Sequence, residues 1–182
     1  MRAAAGAWRG NRGRTDFQPW RADHRLHQSA RRCANRTAAD AKLKRIYQIK
    51  IGANNVVRQV YFPYPNNKPV GFSPATRVGN QVFVSGQVAA DENGNLVGIG
   101  DAKAQSEQCF KNVEAALTTA GAVWDDVTKI TCFLVNADDY AAYAEVRNGI
   151  FPENGPASST VIVTALVRPE MLVEIEAFAV VE

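Results

Sequence analysis

The stretch DAKAQSEQCFKNVEAALTTAGAVWDDVTKITCFLV, residues 101–135, decides the fold. Phe110, Val113, Leu117 and Ala120 recur at spacings of three and four, which puts them on one side of a helix over 101–120. Cys109 and Ala116 widen that apolar face, and both cysteines of the region, Cys109 and Cys132, read as core. Asp101 is placed to cap the first turn, and Gly121 to end the last one in the left-handed conformation glycine tolerates. The period then changes from 3.6 to two: in 127–135, Ile130, Cys132 and Leu134 share one side of a strand. A helix feeding a strand that carries one apolar face calls for a layered α/β arrangement.

Working outward, residues 138–151 read as a second helix, with Tyr140, Tyr143 and Ile150 towards its buried side, broken by the segment from Pro152 to Pro156. Beyond it, 159–167 and 172–181 read as two strands joined by an Arg168-Pro169-Glu170 turn, short enough to imply an antiparallel hairpin. Upstream, 56–62 is a β-branched and aromatic strand closed by Pro63 and Pro65. Residues 72–78 form a second short strand, Gly79-Asn80 a turn and 81–87 a third strand, followed by a turn pivoting on Asn93-Gly94. The order is β-β-β-α-β-α-β-β. It implies a mixed six-stranded sheet with a right-handed crossover and both helices on one face. No third helix is available for the other face, so a second copy of the chain is expected to cover it.

Charge divides the chain in two. Residues 1–50 carry thirteen Lys and Arg against three acids, a net of +10, while 51–182 carry a net of −7, so the overall +3 describes neither half. Residues 1–48 lack any apolar period, and 1–50 are expected to be a disordered basic extension to a domain over 56–182. Three readings of the extension stay open. It could come from a start assigned too far upstream, with Val56 or Val57 as starts, from a mitochondrial presequence, or from a nucleic-acid-binding tail. A cytoplasmic location is expected, or a mitochondrial one if the presequence is real. The acidic domain argues against nucleic-acid binding except through the tail, because phosphate binding needs cations to displace counterions. Cys33, Cys109 and Cys132 show no paired or metal-ligand spacing. His24 and His27 both lie in the extension, which leaves the domain without Ser-His-Asp or Cys-His catalysis and without a histidine metal ligand. No cofactor is called for, and no run of 18 apolar residues suggests a membrane span.

The segments RVGNQVFVSGQ (77–87), LTTAG (117–121), WDDVTKITCFLVNADDYAAY (124–143) and LVEIEAFAVV (172–181) together resemble the RidA (YjgF, L-PSP) family. The resemblance implies a chorismate-mutase-like fold and a homotrimer with small-molecule ligands in clefts between subunits. It also implies a 2-iminobutanoate/2-iminopropanoate deaminase-like hydrolase acting on enamines and imines. In the deaminating members an arginine pairs with the substrate carboxylate, a geometry that a guanidinium fork suits, and a glutamate positions the water. The glutamate matches Glu174, and the small polar residue near the arginine matches Thr160. The Ser85-Gly86 pair matches the place where backbone approaches ligand. The arginine position, however, is Ser158, the tyrosine position is Phe72, and an asparagine position is Ala144. A replacement cation is needed, and Arg147, Arg77 and Arg168 are the candidates in that order. On the residues alone, Glu174 and Glu176 read as a solvated strand face, Thr160 as an ordinary β-former, Gly86 as a bulge and Arg147 as a surface charge. Three functions are in competition. The first is a deaminase with altered substrate choice, the second a catalytically inert trimeric metabolite-binding protein, and the third a ribonuclease or translation inhibitor, which the acidic, histidine-free domain disfavours.

Overall fold

The computed structural model describes residues 47–51 and 56–182. Its strands are β1 (Tyr47–Ile51), β2 (Val56–Tyr61), β3 (Ala75–Val78), β4 (Gln81–Val88), β5 (Val127–Leu134), β6 (Ala157–Ile162) and β7 (Val173–Val180), with helices α1 (Ala102–Ala120) and α2 (Tyr140–Ile150). All seven strands form one sheet in the order β1-β2-β3-β4-β7-β5-β6. The mixed six-stranded sheet expected from the sequence is present as β2 to β7. A further edge strand, β1, pairs antiparallel with β2 from Tyr47↔Val60 to Ile51↔Val56. It begins inside the stretch assigned on composition to the extension; the rest of that stretch lies outside the described residues.

The expected hairpin of the last two strands does not form. β6 runs parallel to β5, as its α2 crossover demands, whereas β7 runs antiparallel to β5 on the opposite side, between β5 and β4. β6 also stops at Ile162, and residues 163–172 cross the end of β5 to reach β7. The Arg168-Pro169-Glu170 turn exists, closed by Met171 N–H donating to Arg168 O at 3.1 Å, but it lies within that crossing segment. Turn chemistry was legible there, while the pairing partner was set by the direction in which α2 returns the chain.

One sheet face is dry. Val82, Val84, Ile130, Cys132, Leu134, Val173, Ile175 and Ala177 are buried against Cys109, Phe110, Val113, Ala116 and Leu117 of α1. Each large side chain buried there contributes about 1.5–3 kcal/mol, and Leu117→Ala would cost about 2–5 kcal/mol through the cavity it leaves. The caps of α1 are as expected. Asp101 accepts hydrogen bonds from the backbone N–H groups of Lys103 and Ala104, and Gly121 ends the helix at φ 84°. Arg77 reinforces that end by donating to Ala120 O at 3.1 Å and Gly79 O at 2.9 Å. Tyr143 is fully buried, but Tyr140, expected inside, is 45% exposed, because α2 begins at Tyr140 and its first turn overhangs the core.

Candidate functional site

The sheet sorts the sequence-derived site residues by face. On β7 the side chains alternate: Val173, Ile175, Ala177 and Ala179 are buried under the helices, and Glu174, Glu176, Phe178 and Val180 point to the other, outer face. Glu174 stands opposite Val88 on β4 and Phe133 on β5. Between Val84↔Ala177 and Gln87↔Ile175 the β4–β7 register slips by one, which makes Ser85-Gly86 a bulge. The bulge reading of Gly86 therefore holds, and the carboxylate of Glu174 packs closely over it. A Cβ built on Gly86 would overlap Glu174 Oε1 and lie 2.7 Å from Glu174 Cδ. The missing side chain is what gives the carboxylate its seat.

That seat is half-buried. Burial raises the Glu174 pKa above the usual carboxylate value, and the neighbouring charge of Glu176 raises it further. Glu174 also borders a depression of about 460 Å³ lined by Phe133, Val163, Ala165, Leu166 and Val167. On the other side of the bulge, Ser85 and Phe72 border a second depression of about 500 Å³ that also contains Arg58, Lys68, Ser73 and Thr76. Ser85 N–H donates to Pro74 O at 3.0 Å and its hydroxyl to Ser73 O at 2.8 Å, so the bulge and the 72–74 segment are tied together. Phe72, Ser85, Gly86 and Glu174 thus form one contiguous group on the outer face.

Ser158, Thr160 and Arg147 form a second group, on the helix side. Ser158 stands opposite Ile130 and Thr160 opposite Cys132, both buried under the helices. There Tyr143 stacks on Phe110, with ring centroids 6.0 Å apart and nearly parallel planes. Its hydroxyl lies beside Ser158, Cys132 and Arg147 but makes no hydrogen bond of ordinary geometry. Burial pushes the Tyr143 phenol and the Cys132 thiol each up to about 12, so both are neutral near pH 7. Arg147 lies over the Tyr143 ring, its Cζ 5.4 Å from the centroid, and donates to Asn148 Oδ1. Within one chain, Glu174 and Ser158 lie on opposite faces of the sheet and do not meet.

Two features escaped the sequence reading. One is the Tyr143 hydroxyl, which was counted only as part of an apolar helix face. The other is Arg58, which period two places on the outer face with Val60 and Phe62; no faces were assigned to that strand, although the alternation was there to be read. Of the other cations considered, Arg77 is committed to the end of α1, and Arg168 sits 3.7 Å from Glu170. Among the described residues no cluster of His, Cys, Asp or Glu could hold a metal ion, and no helix is long and apolar enough to cross a membrane.

Comparison with known proteins agrees with this architecture. A family model described as Endoribonuclease L-PSP matches residues 66–181. A RutC family protein of Pyrococcus abyssi is 39% identical over 126 residues, covering 68% of this chain and 98% of the relative. The 3-aminoacrylate deaminase RutC of Acinetobacter baylyi is 37% identical over 123 residues, covering 67% and 97%. The crystal structure of RidA from an Antarctic Psychrobacter superposes with a TM-score of 0.61 at 32% identity, over 67% of this chain and 98% of that one. With a sheet, helix pair and motif set shared over nearly the whole length of these relatives, the chain belongs to the L-PSP family, the family of RidA, YjgF and RutC.

Proposed function

We propose that the chain is a hydrolytic deaminase of small enamines and imines, with Glu174 as its general base. The seating of the Glu174 carboxylate on Gly86, half-buried and with its pKa raised, carries this reading. A base tuned towards neutrality is what water activation requires. Glu174 takes a proton from a water whose oxygen adds to the imine carbon. The C=N π electrons move to nitrogen, which takes that proton from Glu174; transfer of the carbinolamine's hydroxyl proton to the same nitrogen then breaks the C–N bond, releasing ammonia and leaving a carbonyl. An enamine first gains a proton at its β-carbon and loses one from nitrogen to become the imine. The deaminase named among the relatives acts on an enamine of this kind.

The outer face also supports assembly. Phe178 and Val180 are exposed there, and Phe83 meets Phe178 edge-on at 5.2 Å. We place further copies of the chain on this face, as a homotrimer, which would bring the Ser158, Thr160 and Arg147 group of one copy towards the Glu174 group of another. Sedimentation as a stable monomer would sink that arrangement.

A binding protein without turnover is the second reading, favoured by the neutral Ser158 and the apolar, exposed Phe72. The full chain should lower semicarbazide trapping of an imine made by an amino-acid oxidase, and Glu174→Gln should abolish the effect. Activity retained in Glu174→Gln removes the glutamate from the mechanism. An inert natural protein that still binds 2-oxo acids establishes the second reading.

A further inference from the structure

We infer that the depression beside Glu174 receives the carbon chain of an uncharged imine, so that the preferred substrates are imines of apolar amines, with 2-imino acids the slower ones. The inference rests on the deaminase reading for the reaction, whereas the ligand class rests on the lining of the depression.

Glu174 stands opposite Phe133, and Phe133 opposite Val161, so the carboxylate begins a row across the outer face that is otherwise apolar out to the edge strand. The segment 163–172 is pinned beside that row. Val163 N–H donates to Leu134 O at 2.8 Å, and Val135 N–H donates to Leu172 O at 3.1 Å. The depression of about 460 Å³ formed there is lined by Phe133, Val163, Ala165, Leu166 and Val167, and Glu174 is its one polar side chain. Hydrocarbon walls with a single placed polar group suit a small ligand that presents its reacting end to that group and its chain to the walls. A carboxylate brought into the depression would lose water and gain no partner. The charge beside Glu174 is a second carboxylate, Glu176, which repels an anion further.

In a 2-imino acid the carboxylate is bonded directly to the carbon that water attacks, so its anchor has to lie within a few bonds of the base. No cation of the same chain meets that condition among the described residues. Register puts Arg58 in line with Gln81 and Val180, at the far end of β7 from Glu174. Lys68 borders the separate depression beside Phe72. Lys129 stands four residues before Phe133 on β5, about 13 Å along the strand, and donates to Ser159. Arg77 is spent on backbone carbonyls, and Arg168 faces Glu170. Arg147 lies over Tyr143, on the opposite face of the sheet. An imine of the form RCH=NH needs none of them: it takes up water as described above and leaves as an aldehyde and ammonia.

The test uses the full chain, natural and as Val167→Lys, with thermal denaturation to confirm that the variant is folded. Val167 is 84% exposed, so lysine there brings a cation to the depression without disturbing the core. Two ketones of one shape, 4-methylpentan-2-one and 4-methyl-2-oxopentanoate, are titrated by NMR; they differ by a methyl group against a carboxylate. Hydrolysis is read for the imines made from 3-methylbutylamine by an amine oxidase and from leucine by an amino-acid oxidase, each corrected for the uncatalysed rate. The natural protein should bind the uncharged ketone about tenfold or more tightly than the oxo acid, and kcat/KM should favour the amine-derived imine in the same sense. Along the imines of ethylamine, propylamine and butylamine, KM should fall about threefold to fourfold per CH₂. Val167→Lys should strengthen oxo-acid binding about tenfold and leave the uncharged ketone within about threefold. Equal or tighter binding of the oxo acid by the natural protein would overturn the inference, since it would mean that a cation such as Arg147 of another copy reaches the site. Failure of the uncharged ketone to bind overturns it as well. If neither imine is hydrolysed while the ketone preference is seen, the deaminase reading fails and the ligand class stands for a binding protein.

Discussion

Replacing Gly86 by alanine separates a site built around Glu174 from an ordinary strand face. Gly86 is not in the left-handed region, so alanine fits its backbone. The obstacle is the Glu174 side chain: the new Cβ would overlap Oε1, with Cδ at 2.7 Å and Cγ at 3.0 Å. Carbon atoms settle at about 3.5–4 Å, so the carboxylate has to withdraw by about 1 Å. It is the free end of a flexible side chain, and the fold can absorb the move. Removing a glycine also narrows the unfolded ensemble, worth about 0.4–1 kcal/mol, so net stability should change by less than about 1 kcal/mol. Catalysis should not tolerate the change, because a displacement of about 1 Å costs about a hundredfold in rate, or roughly 2.7 kcal/mol of barrier. The assay is kcat/KM for imine hydrolysis across pH, run beside thermal denaturation. Moving the carboxylate towards water relieves the burial that raises its pKa, so the remaining activity should show its acid limb at lower pH than the natural protein. A Gly86→Ala protein with the natural rate and pH profile would refute the claim that the carboxylate acts from this seat. One that unfolds would show that the bulge needs glycine for a reason other than Glu174.

Two further predictions concern titration and packing. Glu176 raises the Glu174 pKa by charge repulsion, so Glu176→Gln should move the acid limb of kcat/KM to lower pH. Because Glu174 holds its proton more tightly when folded, stability should fall as pH rises between its unfolded and folded pKa values, and urea unfolding at several pH values should show that fall weakened in Glu176→Gln and absent in Glu174→Gln. An acid limb that does not move in Glu176→Gln would mean that another group limits the rate. The Tyr143 hydroxyl is buried without a hydrogen bond, so Tyr143→Phe should be neutral or stabilising, by up to about 1 kcal/mol in the same titration, whereas a buried hydroxyl with a partner would cost about that much to lose. A clear destabilisation would show that Ser158 or Arg147 is a real partner.

Local chemistry was well written in the chain. The 3.6 period of Cys109, Phe110, Val113, Ala116 and Leu117 fixed which face of α1 is buried, and Asp101 and Gly121 fixed its ends. Alternation over 173–180 fixed which β7 side chains meet the helices and which do not. What the sequence could not carry was the partner of each strand. β6 and β7 are both apolar enough to pair with anything, and the short turn before Met171 pointed to a hairpin. The decision came from α2, whose return sets β6 parallel to β5 on the outer edge and leaves the slot between β4 and β5 for β7.

The same strand placement governs how the site could be read. Motif matching treats Glu174, Thr160 and Ser158 as neighbours because they lie close together in sequence and in the family's pattern. Register shows that β5 separates their strands and that the two ends of the motif point to opposite sheet faces. A residue lost from one face can be replaced only by something that reaches the same ligand, and proximity in sequence to Ser158 says nothing about that. Arg147 sits near Ser158 in sequence and in space, yet it shares the face that Glu174 does not use. Arg58, a hundred positions upstream of Ser158, is on the face that Glu174 does use, yet β2 and β3 set it in line with Gln81, at the end of β4 away from the bulge and from Glu174. Sharing a face is therefore not enough: the register along each strand, as well as its alternation, decides which cation can reach a ligand at Glu174.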